Sequence, residues 1–324
     1  MLAVYASSIS NTNPLSGLEV GDFPDPEPHE GWVLVRVVAA ALNHHDLWSL
    51  RGVGLDASRL PMVLGCDCSG LDDQGNEVIV HAVIGTPSRD GKALDETFDP
   101  DRTLLSERHH GTLAQLVAVP RENLVPKPAS ISFQEAACLP TAWLTAYRML
   151  TRDSKLSPGD NVLIQGAGGG VSSAAIVLAK ALGMEVWVTS RNRSKLDQAQ
   201  DLGADHAILT GERLPRRVDC VIETVGKATW EHSLKALRPG GTLVVSGATS
   251  GDDPFCDLKR VFFRQLRIIG STMGSKEELV TLANLIEARD IHPSIAARFP
   301  LADARAGFEL LELGETFGKV VIEP

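Results

Sequence analysis

The spacing of apolar and polar positions divides the chain into two regions with different periods. From about residue 129 to residue 289, apolar runs of strand length alternate with segments whose apolar residues recur at helical spacing. The predicted strands are 160–165, 185–190, 205–210, 219–225, 241–246 and 267–272. The predicted helices are 171–182, 194–202, 229–237 and 258–265. Because strands that alternate with helices form parallel sheets, this region predicts an α/β domain built on a doubly wound parallel sheet.

The region before residue 125 has strand-like runs separated by turns rich in proline, glycine and aspartate. The runs 31–40, 76–80 and 113–119 predict an antiparallel β-rich domain with one long loop, 84–110. The run 317–323 is strand-like and is predicted to return to this domain. A helix over 133–150 is predicted to begin at Ser132, with Glu135 completing a capping box. The predicted domains are 1–125 with 290–324, which is β-rich, and 126–289, which is a Rossmann domain.

Composition and charge limit the classes of function. The 324 residues suggest two domains, and 44% hydrophobic and 22% charged residues are typical of soluble globular proteins. No apolar run reaches the roughly 18 residues of a membrane helix. The net charge of −10 argues against nucleic acid or an anionic membrane as a partner. Five irregularly spaced cysteines do not form a disulfide framework, so we expect the reducing cytoplasm.

The segment 161–183 carries the clearest functional signal, because an apolar strand meets a cluster of glycines and then a helix. In this arrangement the free N–H groups of the first helical turn bind a pyrophosphate, and glycine lets the anion approach the backbone. The predicted contacts are Gly168, Gly169, Gly170 and Val171. The full pattern of three glycines is not met, and a glycine-rich turn in another α/β domain is the alternative interpretation.

The end of the next strand predicts which dinucleotide binds. A carboxylate at that position accepts the ribose 2′-OH of NAD, whereas basic residues suit the 2′-phosphate of NADP. The position is Ser190, about 20 residues after the turn as the motif requires, and Arg191, Arg193 and Lys195 follow it. Because basic residues at a helix start oppose the helix dipole, a bound anion explains them better than a solvated helix does. We therefore expect NADP(H), held in part by Ser190, Arg191 and Lys195.

The order of the motifs along the whole chain points to a family. The motifs are ALNHHDLW at 41–48, VLGCDCSG at 63–70, AACLPTAWLTAY at 136–147, the glycine turn, LGAD at 202–205, RPGG at 238–241 and FGK at 317–319. This order resembles the medium-chain dehydrogenase/reductase superfamily, in its quinone-oxidoreductase-like branch. The resemblance implies a chaperonin-10-like (GroES-like) domain, a Rossmann domain and hydride transfer from a nicotinamide in the cleft between them. It also implies a homodimer or homotetramer, and we expect a homodimer.

The resemblance also bears on zinc. The positions that match the family's catalytic zinc ligands are Asn43, Cys66 and Thr141, and an amide and a hydroxyl are poor zinc ligands. The loop 84–110, which corresponds to the structural-zinc lobe, contains no cysteine. A rival metal site would use donors from 44–46 and 66–68. The ligand chemistry favours small buried residues in a loop over a metal site, so we expect no bound metal.

Without a metal, hydrogen bonds must stabilise the charge that develops on the substrate oxygen. Asn43 is predicted to donate to a substrate carbonyl or to the nicotinamide carboxamide. Asp46 is expected to orient its loop or the nicotinamide ribose, and His45 or its neighbour His44 to supply a proton. Thr141 is predicted to donate its hydroxyl near the nicotinamide.

Further cofactor contacts are expected where strands end, because open α/β sheets bind ligands at their carboxyl edge. These contacts are Thr224, Gly247 and Ala248. Lys319 matches the family's lysine near the cofactor, with a surface strand residue as the alternative.

The leading functional hypothesis is an NADPH-dependent, zinc-independent reductase of a quinone or an α,β-unsaturated carbonyl. The first alternative is an alcohol dehydrogenase that acts on simple alcohols or aldehydes. The second is a protein that binds NADPH without useful catalysis. The sequence does not identify the substrate.

Overall fold

The computed structural model describes residues 1–86 and 95–324. Within those ranges the strands are β1 (Leu2–Ala6), β2 (Leu18–Asp22), β3 (Trp32–Ala41), β4 (Met62–Val63), β5 (Asp67–Leu71), β6 (Glu77–Val80), β7 (Val83–Ile84), β8 (Thr103–Leu104), β9 (Leu116–Pro120), β10 (Leu124–Pro126), β11 (Asn161–Ile164), β12 (Glu185–Ser190), β13 (His206–Leu209), β14 (Val218–Glu223), β15 (Leu237–Val245), β16 (Arg267–Gly270), β17 (Ile295–Pro300) and β18 (Lys319–Glu323).

The α-helices of the same ranges are α1 (His44–Leu50), α2 (Phe133–Ala136), α3 (Leu144–Arg148), α4 (Gly170–Ala181), α5 (Arg193–Asp201), α6 (Trp230–Ala236), α7 (Leu258–Phe263), α8 (Lys276–Arg289) and α9 (Ala304–Leu313). Two π-helical turns, Leu139–Trp143 and Met149–Asp153, flank α3. The capping box predicted at the start of α2 is confirmed, since Ser132 and Glu135 satisfy each other's backbone N–H groups.

The chain divides into two compact units. Unit 1 is Met1–Leu144 with Met273–Pro324, and unit 2 is Thr145–Thr272. The predicted boundaries, at 125/126 and 289/290, differ because they assign 126–144 and 273–289 to the Rossmann domain. In the structure α8 packs on β10 and on the first π-helical turn, so these segments belong with the β-rich unit.

Unit 2 contains a six-stranded parallel sheet in the order β13-β12-β11-β14-β15-β16. Every strand predicted for this region is present, and β12 has the predicted bounds. The order reverses between β11 and β14, which is the point where doubly wound sheets bind ligands. The α/β prediction is therefore confirmed, and the carboxyl ends of β11, β12, β14 and β15 are where a cofactor site is expected.

Unit 1 is β-rich, as predicted. Its largest sheet has the order β10-β6-β5-β3-β18-β17, with β9 also paired to β3, and a second sheet has the order β2-β1-β4. The predicted return of the last strand is confirmed, since β18 pairs with β3 through Val321 and Ala41. Alternate residues of β3, among them Val33, Val35 and Val37, enter the apolar core beside Ile322.

The long loop predicted over 84–110 contains a short ladder. Here β7 pairs with β8, so that Val83 lies opposite Leu104 and Ile84 opposite Thr103. A 3₁₀ turn, Glu96–Phe98, precedes β8. Residues 87–94 of the predicted loop lie outside the described residues.

Candidate active site and cofactor site

The loop between β3 and α1 is held by Asp46, the third residue of α1. Its buried carboxylate accepts hydrogen bonds from the backbone N–H of Asn43 at 2.8 Å and of Gly65 at 3.1 Å. Burial raises the pKa of Asp46 to about 7, and the nearby Asp67 raises it too, while the two amide donors and Lys319 lower it. Asp46 therefore ties the loop before α1 to the loop before β5.

The first residue of β5, Asp67, stands at the centre of a buried polar cluster. Its Oδ1 accepts from the Thr141 hydroxyl at 2.6 Å, and its Oδ2 accepts from the Asn43 amide at 2.9 Å. The Lys319 ammonium donates to the same Oδ2 at 3.3 Å. The side chain of Asp67 has no exposed surface, and that of Lys319 exposes only 3%. Three of the predicted site residues thus meet at one carboxylate of unit 1.

The hydrogen bonds of this cluster determine which groups of Thr141 and Asn43 can still donate to a ligand or accept from one. The single hydroxyl proton of Thr141 is directed at Asp67, so its oxygen remains as an acceptor. The Asn43 amide donates to Asp67, while its oxygen accepts from Lys319 at 2.6 Å. Lys319 is buried, which rules out the alternative of a surface strand residue.

Cys66, the third position that matches a zinc ligand, lies apart from these bonds. Its buried thiol donates to the Leu105 carbonyl at 3.4 Å and lies 3.5 Å from the Ser106 hydroxyl. Burial, followed by the charge of Asp46, raises the pKa of the Cys66 thiol well above its usual range. Metals bind the thiolate, which this environment disfavours. In residues 1–86 and 95–324, no three His, Cys, Asp or Glu side chains are grouped so that they can hold a metal ion.

The two histidines of α1 differ in environment. His44 is exposed, whereas the side chain of His45 exposes 17%. Nε2 of His45 lies 3.4 Å from the Ser49 hydroxyl and 3.6 Å from a carboxylate oxygen of Glu107. Burial lowers the pKa of His45 to about 4, so the ring is neutral at pH 7. At that pH His45 can hold or pass a proton only through its one N–H group.

In unit 2, the glycine turn joins β11 to α4. Gly168 has φ +111°, a conformation that favours glycine, and no side chain caps the N-terminus of α4. A Cβ added at Gly169 would meet only the Ser172 hydroxyl, at 3.5 Å, so the space before the turn is open. The first-turn N–H groups, including those of Gly170 and Val171, lack intrahelical acceptors. These features fit a pyrophosphate.

The basic segment after β12 also fits an anionic ligand. Ser190 is buried, and its hydroxyl oxygen accepts from the Asn192 N–H at 3.1 Å, which leaves its proton for another acceptor. Arg191 and Arg193 are exposed, and neither has an ion-pair partner in the described part of the chain. Lys195 lies half-buried in the first turn of α5.

The loops that follow β14 and β15 pack against each other. A Cβ at Gly247 would lie 2.9 Å from the Thr224 carbonyl oxygen, and one at Gly226 would lie 2.8 Å from Cα of Ala248. The N–H of Ser250 donates to the Val225 carbonyl at 2.8 Å. The predicted contacts Thr224, Gly247 and Ala248 therefore come together at the carboxyl edge of the unit 2 sheet.

A buried carboxylate organises these loops, and the sequence reasoning missed it. Glu223, the last residue of β14, has no exposed surface. It accepts from the N–H groups of Val225 at 2.8 Å and Gly226 at 3.0 Å. It also accepts from the hydroxyls of Thr229 at 2.9 Å and Ser233 at 2.6 Å. The sequence feature that could have identified Glu223 is a glutamate at the end of an apolar strand, because a buried charge needs hydrogen-bond partners.

The same network reaches the glycine turn. The amide of Gln165 donates to the Ser233 hydroxyl at 3.0 Å, and its oxygen accepts from the Thr189 hydroxyl at 2.6 Å. That hydroxyl oxygen accepts from the Gly166 N–H at 3.2 Å. Glu223 is thereby linked through side chains to the backbone of the turn that precedes α4.

One edge of the unit 2 sheet carries an apolar surface. Strand β16 ends the described sheet, and Ile268 on it is 39% exposed. The exposed apolar side chains of the segment before it are Phe255 (86%), Leu258 (69%), Phe262 (63%) and Phe263 (70%). Across the described ranges, no helix combines the length and apolar character needed to cross a bilayer.

Two families match the chain. The family described as alcohol dehydrogenase GroES-like domain matches residues 29–129, and the family described as zinc-binding dehydrogenase matches residues 170–288. An acryloyl-coenzyme A reductase of Metallosphaera sedula is 30% identical over 94% of this chain and 96% of its own length. A chloroplastic NADPH-dependent alkenal/one oxidoreductase of Arabidopsis thaliana is 32% identical over 92% of this chain and 74% of its own length. The crystal structure of an NAD-dependent alcohol dehydrogenase, 36% identical, has a TM-score of 0.92 with complete coverage of both chains.

Proposed function

We propose that this chain, an oxidoreductase that belongs to the medium-chain dehydrogenase/reductase superfamily, uses NADPH to reduce an α,β-unsaturated carbonyl or a quinone. The family matches and the GroES-like and Rossmann-type domains establish the superfamily.

The observation that carries the proposal is the set of side chains that stand at the zinc-ligand positions of unit 1. Asn43 and Thr141, at two of the positions of zinc ligands, are hydrogen-bonded to Asp67, and the third position is a buried thiol. These groups are suited to hydrogen bonding and poorly suited to polarising a simple ketone as zinc does. When a hydride adds to the β-carbon of an unsaturated carbonyl, the negative charge is shared between oxygen and the α-carbon. The smaller charge on oxygen needs a weaker electrophile.

The relatives support this substrate class. One is named as an acryloyl-coenzyme A reductase and another as an alkenal/one oxidoreductase, and both substrates have a carbon–carbon double bond conjugated to a carbonyl. A quinone has the same conjugation and is the second substrate included in the proposal.

When bound, NADPH supplies the hydride, and the residues of unit 2 supply its site. The first-turn N–H groups of α4 would hold the pyrophosphate. Ser190, Arg191 and Lys195 would hold the 2′-phosphate, and the loops of Thr224 and Gly247 would line the remainder. Two exposed arginines beside a buried serine, with no ion-pair partner among residues 1–86 and 95–324, suit a doubly charged phosphate better than a ribose hydroxyl.

The second candidate is an alcohol dehydrogenase that uses NAD. It is favoured by the 36% identical NAD-dependent alcohol dehydrogenase, whose fold matches over the whole chain. The third, an NADPH-binding protein without useful catalysis, follows from the weak proton-donor groups found near Asp46. Neither candidate accounts for the exposed arginines after β12 and the hydrogen-bonded cluster together.

One panel of assays separates the three. Oxidation of NADPH and of NADH is followed with alkenals, enones, an enoyl-coenzyme A, quinones and simple aldehydes. We expect turnover with unsaturated acceptors and NADPH. Turnover confined to simple aldehydes and NADH would support the alcohol dehydrogenase, and binding of NADPH without turnover would support the third candidate.

The cofactor assignment has its own matched pair of variants. Arg191→Ala should weaken NADPH binding by at least tenfold and leave NADH binding unchanged. Arg267→Ala, an exposed arginine at the opposite end of the same sheet, should change neither. Equal affinities of the wild type for NADH and NADPH would refute the assignment.

We also propose a homodimer in the reducing cytoplasm. The exposed apolar segment beside β16 is the surface offered for the dimer. The five cysteines are free, four of them buried, which suits a reducing compartment.

A further inference from the structure

The ammonium group of Lys319 sits in a cage of three oxygens. Its Nζ donates to the Leu42 carbonyl at 2.7 Å, to Oδ1 of Asn43 at 2.6 Å and to Oδ2 of Asp67 at 3.3 Å. An ammonium group has three donors, so all of them are directed at protein oxygens. Lys319 is therefore placed to act through Asn43 and Asp67, and not by donating to a cofactor.

The cage fixes the orientation of the Asn43 amide. Its oxygen faces the ammonium, and its nitrogen donates to the Asp67 carboxylate at 2.9 Å and to the Ala41 carbonyl at 3.3 Å. The reversed amide would place N–H groups against the ammonium and oxygen against the carboxylate, and both contacts are repulsive. Removal of either charge would weaken this preference.

The same carboxylate fixes the polarity of Thr141. Because its proton points at Oδ1 of Asp67 at 2.6 Å, its oxygen is available only as an acceptor. Thr141 is half-buried, whereas Asp67 is fully buried, so of these two residues only Thr141 has surface that a ligand can contact. A ligand group that meets Thr141 must then be an N–H or O–H donor.

We infer that Asp67 and Lys319 form a positioning pair, which holds Asn43 and Thr141 in the orientation that the reaction requires. The inference rests on the proposed function. Neither residue acts on the reacting atoms directly; the pair provides a fixed positive charge beside a carboxylate. Burying both charges costs folding free energy. The orientation that the pair imposes on Asn43 and Thr141 gives a reason for that cost.

Chemical rescue tests the inference. Lys319→Ala leaves the oxygen cage without its cation, and we expect kcat to fall by at least thirtyfold while KM for NADPH changes less than threefold. Propylammonium should restore kcat by at least tenfold and raise the Tm of this variant. Tetramethylammonium, which has charge but no N–H donor, should do neither. The Tm measurement reports whether propylammonium occupies the oxygen cage, and it does not depend on activity.

Two further variants distinguish positioning from folding. Asp67→Asn combined with Lys319→Met removes both charges with little change of shape, so it should fold with a Tm close to that of the wild type and keep the low kcat. Lys180→Ala, which removes an exposed ion pair with Asp205, should keep the kcat and show no rescue.

The outcomes separate the inference from the proposed function. A wild type that turns over none of the acceptors would defeat the proposed function, while a Tm rise of Lys319→Ala in propylammonium would still support the cage. An active wild type with Lys319→Ala within threefold of its kcat would overturn the positioning pair. Recovery of kcat in the double variant would overturn it as well.

Discussion

Replacement of Glu223 by glutamine removes one charge and keeps the shape of the side chain. In the wild type, the carboxylate accepts from two backbone N–H groups and from the hydroxyls of Thr229 and Ser233. Glutamine has one oxygen, which can keep the two backbone bonds. Its NH₂ group must face the Ser233 hydroxyl, which donates to Oε2 of the wild-type carboxylate, so that hydroxyl must turn. Thr229 can still donate to the remaining oxygen.

The expected loss of unfolding free energy follows from these bonds. A hydrogen bond to a charged group contributes about 1.5–3 kcal/mol and a neutral one about 0.5–1.5 kcal/mol. Two backbone bonds weakened by about 1 kcal/mol each, with about 1–2 kcal/mol for turning Ser233, give a loss of about 3–4 kcal/mol. The opposing effect is the desolvation of a buried charge, which glutamine avoids. Because four donors lie at hydrogen-bond distance from the carboxylate, we expect the loss of hydrogen-bond energy to exceed the gain from avoided desolvation.

Urea denaturation and NADPH titration measure the two consequences of Glu223→Gln. We expect a lower midpoint at unchanged m-value, and NADPH affinity weaker by about tenfold, or about 1.4 kcal/mol, because the network supports both the turn and the loop. Glu231→Gln is the matched control, since Glu231 is exposed and forms a surface ion pair with Lys235, and it should leave both measurements unchanged. A Glu223→Gln protein as stable as the wild type would show that desolvation dominates, and the reasoning would be wrong.

Four other predictions concern separate features. The pKa of His45 is about 4 in the folded state and about 6.5 in the unfolded state. The stabilising contribution of the neutral ring is therefore fully present above pH 6.5 and is lost as the pH falls towards 4. Between pH 6.5 and 4, the unfolding free energy of His45→Asn should fall by less than that of the wild type, by at most about 3 kcal/mol. Denaturation at each pH measures both proteins, and an equal fall in the two would contradict the prediction. Gly247→Ala should lower Tm and weaken NADPH binding, because its Cβ would lie 2.9 Å from a carbonyl oxygen; Gly270→Ala, with no atom within 4 Å of its Cβ, should not. Phe262→Ser with Phe263→Ser should convert a dimer to a monomer in sedimentation, and an unchanged mass would exclude this surface. Metal analysis of purified protein should find well under one zinc per chain.

The sheet of unit 2 could be predicted because its strands are buried on both faces and read as apolar runs. Strand β12 has the predicted bounds, and β14 and β15 begin earlier than predicted by one and four residues. Strand β17 alternates exposed and half-buried residues, and β4 and β7 have only two residues each. Those strands depend on their partners more than on their own composition.

The site could be predicted in part. Local motifs identified Asn43, Asp46 and Thr141, and the structure joins two of them through Asp67. That aspartate lies between two cysteines in an apolar run, a pattern that suits a metal ligand or a buried ion pair equally well. Its partner Lys319 is 252 residues away, so no local pattern connects them. Glu223 was overlooked because its partners are backbone groups and hydroxyls, which leave no charge pattern in the sequence.

The division of unit 1 by unit 2 has a consequence for biosynthesis. The lysine that completes the polar cluster belongs to β18, which the ribosome makes only after the whole of unit 2. Until then β3 pairs with β5 at Ala40 and Ala41 but lacks β18 on its other side, and the carboxylate of Asp67 lacks its cation. The nascent β-rich piece therefore has an open sheet edge and a buried charge without its cation until β18 is made, and open edges are prone to aggregation. Unit 2, whose strands and helices are contiguous in sequence, has no such wait and is expected to fold first.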